Sequence, residues 1–257
     1  MEHNYQGPSA MELHETATSV KEVASRMTWS RIIGALFFAG FLVYGIGAAV
    51  VSSIVGESGF VATIPEHETL LVTGVLLMLL NVGVDIGKGV LFFPIIENYS
   101  KRTALVYFGA VTAQAVLLAV GGLFILMLVP LGAAAEEGAG SWVEDAGDAL
   151  VHGNTMAYNI GQAVLSFGGV FLSWLLFRVQ LIPRALAGLG VLGYIVHCTG
   201  SLADLFGLDI SVFLLIPGAI FELGLGFWLI FKGFNPEAYT NAFRSAGGSL
   251  VGGSESG

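Results

Sequence analysis

Charge is what this chain has least of. Of its 257 residues only 11% are Asp, Glu, Lys or Arg. A soluble domain carries about 25%, so a surface made mostly of water-facing side chains is excluded. Basic residues are the scarcer sign: ten Lys and Arg stand against nineteen Asp and Glu, which leaves a net charge of −9 and a pI near 4.9. Nucleic acid needs a basic stripe to neutralise its phosphates, and none exists here, so no nucleic-acid partner is expected. Cysteine is nearly absent. The single Cys198 excludes an internal disulfide and every multi-cysteine metal pattern, and it reads as a small buried hydrophobe. The first 28 residues lack an apolar core after a basic start, so the first apolar run is expected to serve as an uncleaved anchor.

What the chain does have is hydrocarbon. It is 55% hydrophobic with a mean hydropathy of +0.80. Runs of roughly 20 apolar residues, enough to cross about 30 Å of lipid, occur six times. They lie near Ile32–Val55, Leu70–Ile95, Thr103–Leu131, Val151–Phe177, Ile182–Phe206 and Ile210–Phe231. None alternates with period two, and in lipid each backbone polar group must be bonded within its own segment or a closed barrel, so the runs are read as helices. The expected fold is all-α: a polytopic six-helix transmembrane bundle spanning residues 29–235, with a cytoplasmic amphipathic segment at 1–28 and a flexible cytoplasmic tail at 236–257. In the first segment Ser9 and Glu12 have capping-box spacing, and Leu13, Ala17, Val20, Ala24 and Met27 share a helical face. That face lies on the membrane surface, or the segment is a solvated helix leading into the first span.

Orientation follows from the short loops. With six spans, nine of the ten basic residues fall on one side: Lys21, Arg26, Arg31, Lys101, Arg102, Arg178, Arg184, Lys232 and Arg244. The opposite loops carry Glu57, Glu66, Glu68, Glu136, Glu137, Glu144, Asp145, Asp148 and Asp209, and no Lys or Arg. Both termini are therefore expected in the cytoplasm, with the chain in the cell (inner) membrane. Loop 132–150 is Gly/Ala-rich and acidic, and without an ordered ligand spacing it reads as a solvated loop and not a cation site.

The tenth basic residue is the exception. Lys88 lies with Asp85 inside the second apolar run, in NVGVDIGKGV. Counting 1.5 Å per residue from the acidic side puts Asp85 about 22 Å and Lys88 about 27 Å deep, near the inner interface. A spacing of three lets the two charges meet, and the lysine stem can snorkel to that interface. The pair is then either a self-neutralising structural device or a gate or proton site. The same count brings Asn81, Gln114, Asn159, Gln162, His197 and Glu222 within roughly 9 Å of the midplane, with Tyr44 close to mid-depth. Glu222 matters most, because an isolated carboxylate at mid-bilayer is costly unless paired, hydrated or protonated. Paired with His197 it forms an acid/base couple able to carry a proton. The amides serve equally as interhelical glue or as cavity lining.

Enzyme readings are weak. LSFGG around Ser166 lacks a Gly two residues before the serine, and the sixth span has no His, unlike an intramembrane serine protease. No HExxH or HxxxH exists, and His152 lies at the outer rim away from His197, so neither a metal centre nor a bound cofactor is expected. GLGVLG at 188–193 sits in a span, so its glycines read as packing positions and not as a dinucleotide loop.

Two stretches carry a resemblance. FRVQLIPRALAGLGVLGYIVH, followed by LIPGAIFELGLGFWLIFKGFNPEA, resembles the bacterial membrane family catalogued as domain-of-unknown-function family 4386. The sixth-span string of that family is matched by Glu222, Leu223, Leu225, Trp228, Leu229, Lys232 and Gly233. SRIIGALFFAG and Asp85 are similar to its first and second spans, and the third span departs in carrying only Gln114. The resemblance covers roughly residues 28–235. It implies a six-helix integral membrane protein and no assigned activity. Two functions are expected from the residues themselves. The first is a small-solute or proton-coupled carrier with Glu222, His197, Asp85 and Lys88 as its polar site, lined by Asn81, Gln114, Asn159, Gln162 and Tyr44. The second is a non-catalytic scaffold or accessory subunit that binds a partner membrane protein.

Overall fold

In hydrocarbon no water is available to backbone N–H and C=O groups, and the chain answers this with helices throughout. The computed structural model describes residues 10–208 and 210–241, with side chains described within 25–208, 210 and 212–241. The helices are α1 (Ala10–Val55), α2 (Ile64–Leu126), α3 (Leu128–Glu136), α4 (Trp142–Val179), α5 (Arg184–Leu205) and α6 (Ser211–Phe231), with a 3-10 turn at Phe60–Thr63. No strand occurs among the described residues. The backbone of α1 is helical without a break from Ala10, but the capping box at Ser9 and the face from Leu13 to Ala24 lie outside the described side chains, as do Asp209 and the tail from 242.

Five helical stretches are long and apolar enough to cross a membrane, and one of them, Phe60–Glu136, is 77 residues long. It crosses twice. At Ser100 the backbone leaves the helical region, with φ −159° and ψ 100°, and the chain doubles back. An unbroken helix would hold Val75 and Gly122 about 70 Å apart, yet a Cβ built on Gly122 would lie 3.3 Å from Val75 Cγ1. Nearer the bend the Phe93 and Phe108 rings meet edge to face at 5.9 Å. The arms 64–99 and 101–126 are thus the second and third of six spans. The protein is an all-α, multi-pass membrane bundle.

The spans form a closed ring in chain order. Small residues set the contacts: Gly161 lies against Gln114 and Leu117, Gly169 against the Tyr194 ring, and Gly190 against Phe221. Gly193 approaches α6 closest, where a Cβ would come within 2.9 Å of Gly218 Cα and Pro217 O. The ring closes where Gly34 of α1 meets Gly226 of α6.

Each end of the bundle is tied together by different chemistry. At the basic end the Arg26 guanidinium donates to Phe234 O, Arg31 Nε to Ile230 O at 3.3 Å and Asn235 N to Leu181 O at 2.8 Å. The Tyr99 hydroxyl donates to Ala238 O at 2.6 Å. At the acidic end the 3-10 turn wedges Phe60 and Val61 against Gly147 of α4.

Two apolar clusters fill the ring. One, toward the basic end, includes Ile33, Phe37, Phe92, Tyr107, Leu176, Tyr194, Phe221 and Phe234. The other, toward the acidic end, includes Val51, Val61, Ile64, Leu71, Val75, Ile125 and Leu128. Outward, Leu42, Leu80, Val116, Phe167, Leu192 and Phe227 belong to an exposed apolar belt that matches a lipid surround.

Candidate functional site

Between the two apolar clusters lies a polar layer with a cavity of about 310 Å³. Every span contributes to its wall. Eight of the nine candidate site residues line it: Tyr44 from the first span, Asn81, Asp85 and Lys88 from the second, Gln114 from the third, Gln162 from the fourth, His197 from the fifth and Glu222 from the sixth. The ninth, Asn159, is fully buried but is not part of the lining. Helix rotation explains the difference. Tyr158, Gln162 and Leu165 are spaced four and three apart and share the face that lines the cavity, and Asn159 is turned about 100° from Tyr158.

Asp85 and Lys88 are one ion pair, with Nζ 2.7 Å from Oδ1. Asn81 Nδ2 donates to the other Asp85 oxygen at 2.8 Å, so both carboxylate oxygens are engaged. Lys88 does not reach for the basic-side interface. Side chains on a helix lean toward its N-terminus, and here that direction is into the bundle. The ammonium lies 4.9 Å from the Phe37 ring centroid, and a Cβ on Gly40 would lie 3.6 Å from Nζ. The expected snorkelling is therefore replaced by burial, and the pair joins the polar layer instead of standing apart at the inner edge.

Glu222 is held differently. Its Oε1 accepts from the Tyr194 hydroxyl at 2.8 Å, a neutral donor, and the residue is only partly buried. No hydrogen bond joins Glu222 to His197 among the described residues, although both line the cavity, and His197 is 5% exposed. Tyr44 stacks on Tyr158 at 5.6 Å, spanning the cavity wall between the first and fourth spans.

Tyr194 and Tyr158 were not expected from the sequence. Tyr194 precedes His197 by three positions, so the two share a helical face, and a tyrosine hydroxyl buried beside a mid-depth acid is a pattern that depth and spacing could have shown. Tyr158 lies four residues before Gln162, the same signal. Cys198 is a free, partly buried thiol that contacts Ala163 O at 3.8 Å. No group of three His, Cys, Asp or Glu side chains arranged for a metal occurs among the described residues.

The family model described as "Domain of unknown function (DUF4386)" matches residues 32–233, from the first span to the end of the sixth. The chain belongs to that family. In this member of the DUF4386 family the matched region contains all six spans and every residue that lines the cavity. Comparison with curated proteins and with solved structures finds no match.

Proposed function

We propose that the chain is a small-solute or proton-coupled carrier of the cell inner membrane, with both termini cytoplasmic and Glu222, His197, Asp85 and Lys88 as its polar centre. The observation that carries this reading is the cavity between two apolar clusters, to which all six spans contribute. Helix glue alone needs no space, because interhelical hydrogen bonds form best where side chains fill the gap.

Within the cavity the carboxylates have distinct roles. Asp85 has one oxygen on an ammonium and the other on an amide. Among the described residues Glu222 has only the Tyr194 hydroxyl as a hydrogen-bond partner. It is therefore the group at which a proton and a solute compete. His197 adds a second base on the same wall. A centre of this kind, lying between helices at mid-membrane, is where alternating-access carriers place their coupling groups.

The test uses the full chain in proteoliposomes with a pH dye inside. Under an imposed membrane potential, Glu222→Gln is expected to reduce proton flux to that of empty vesicles while keeping the thermal melt of the parent chain. Flux equal to the parent's would remove Glu222 from the mechanism.

A further inference from the structure

The walls of the cavity show where it opens. α1 and α6 touch in their basic-end halves, where a Cβ on Gly34 would lie 2.6 Å from Gly226 O. Toward the acidic end they part. Phe41 and Gly45 line the cavity yet are exposed, and a Cβ on Gly45 would meet no atom within 4 Å. Across from them, Leu215 and Ala219 of α6 line the same opening, and their neighbours Ile216 and Ile220 are exposed. The apolar cluster above the cavity is built from α1, α2, α3, α4 and the 3-10 turn, with no residue of α5 or α6. Among the described residues no loop residue lines the cavity, and the exposed Phe41 and Gly45 face the half-buried Leu215 and Ala219 across a gap between two spans.

The interior is rich in acceptors. Asp85 takes the amino group of Asn81, so the Asn81 amide must turn its oxygen away, and that Oδ1 is buried without a partner. Gln114 Oε1 is likewise buried and unpaired. Glu222 keeps a second oxygen beyond the one bonded to Tyr194. Lys88 is the one cation in the lining and is bound to Asp85, so with those two cancelling, an ionised Glu222 leaves one negative charge. Buried acceptors without donors are costly until a donor arrives.

We infer that the cavity takes a single-chain cationic amphiphile, an alkylammonium, which enters sideways from the bilayer between α1 and α6. The inference rests on the carrier reading and names the substrate class of the same site. An ammonium head has three donors, equal in number to the acceptors Asn81 Oδ1, Gln114 Oε1 and the Glu222 carboxylate carried by lining residues, and the two buried amide oxygens turn toward the cavity to reach it. A volume of about 310 Å³ is at the small end of ligand cavities. It holds the head and the first part of the tail, and the rest of the tail passes Gly45 and Ala219 into lipid. An anionic head would meet a carboxylate and unpaired oxygens.

Equilibrium binding of radiolabelled dodecylamine to the full chain in zwitterionic nanodiscs, with empty discs subtracted, tests this. Saturable binding is expected, with competition by dodecanoate absent and by ethylamine at least tenfold weaker than by unlabelled dodecylamine. Gly45→Trp fills the mouth where there is open space and is expected to weaken binding at least tenfold without moving the melting temperature. Ala219→Leu on the facing helix serves as the second blocking variant. No saturable binding, equal competition by dodecanoate, or full binding in both blocking variants overturns the inference. If dodecylamine fails to bind and Glu222→Gln still abolishes proton flux, the amphiphile is wrong and the carrier stands. If Glu222→Gln leaves flux intact, it is the carrier reading that falls.

Discussion

Lys88 has no water to fall back on. Its ammonium is buried against Asp85, Phe37 and Gly40, so its charge is tolerable only while its partner remains. Asp85→Asn alone leaves a buried cation without a counter-charge and is expected to cost about 3–5 kcal/mol, whereas Asp85→Asn combined with Lys88→Met removes both charges and recovers most of that loss. Thermal melts of the two variants in one detergent check this, and a double variant no more stable than the single one would sink it. The candidate site was legible to the extent that depth was. Counting 1.5 Å per residue put Asn81, Gln114, Gln162, His197 and Glu222 at one level, and they line one cavity. Rotation and lean were not in that count. Asn159 shares the level and turns away, Lys88 leans inward instead of outward, and Glu222 takes Tyr194 as its partner instead of His197.

At the scale of helices, the contacts rest on glycine. Gly193 faces backbone, not a flexible side chain: a methyl there would lie 2.9 Å from Gly218 Cα, Gly218 N and Pro217 O. Gly193→Ala is expected to push α5 from α6 and cost about 1–3 kcal/mol, while Gly83→Ala, with nothing within 4 Å, is expected to be neutral. The difference in melting temperature between the two variants measures it. The sequence reading of 188–193 as packing glycines holds for Gly190 and Gly193, which meet Phe221 and Gly218, and less so for Gly188, whose nearest neighbour is 4.0 Å away. The six spans were legible because the apolar runs are interrupted by Lys101–Arg102 and by acidic loops, and because no run alternates with period two. The bend itself was not legible as a single residue. Ser100 breaks the backbone with no proline or glycine at that position, and only the paired charges after it marked a boundary.

For the whole molecule the dominant feature is charge separation between the two ends. In a Cys198→Ala background, Ser141→Cys is expected to react with a membrane-impermeant maleimide from outside intact cells, and Lys101→Cys only after permeabilisation. The reverse pattern would invert the orientation. The layering of apolar cluster, polar cavity and apolar cluster could not be read from any one span, since each run is apolar at nearly every position and the layers exist only once six faces meet. One contact also constrains how the ring is assembled. Its seam joins α1 and α6, which leave the ribosome about 180 residues apart, so for most of translation the bundle is an open sheet of helices. Until α6 arrives, Asp85, Lys88 and Gln114 have no sixth wall between them and the acyl chains. The Arg26 and Arg31 bonds to Phe234 and Ile230 then fasten the late-made span to the early one. Biogenesis of this protein therefore contains a waiting period in which its most polar face must be sheltered by the insertion machinery.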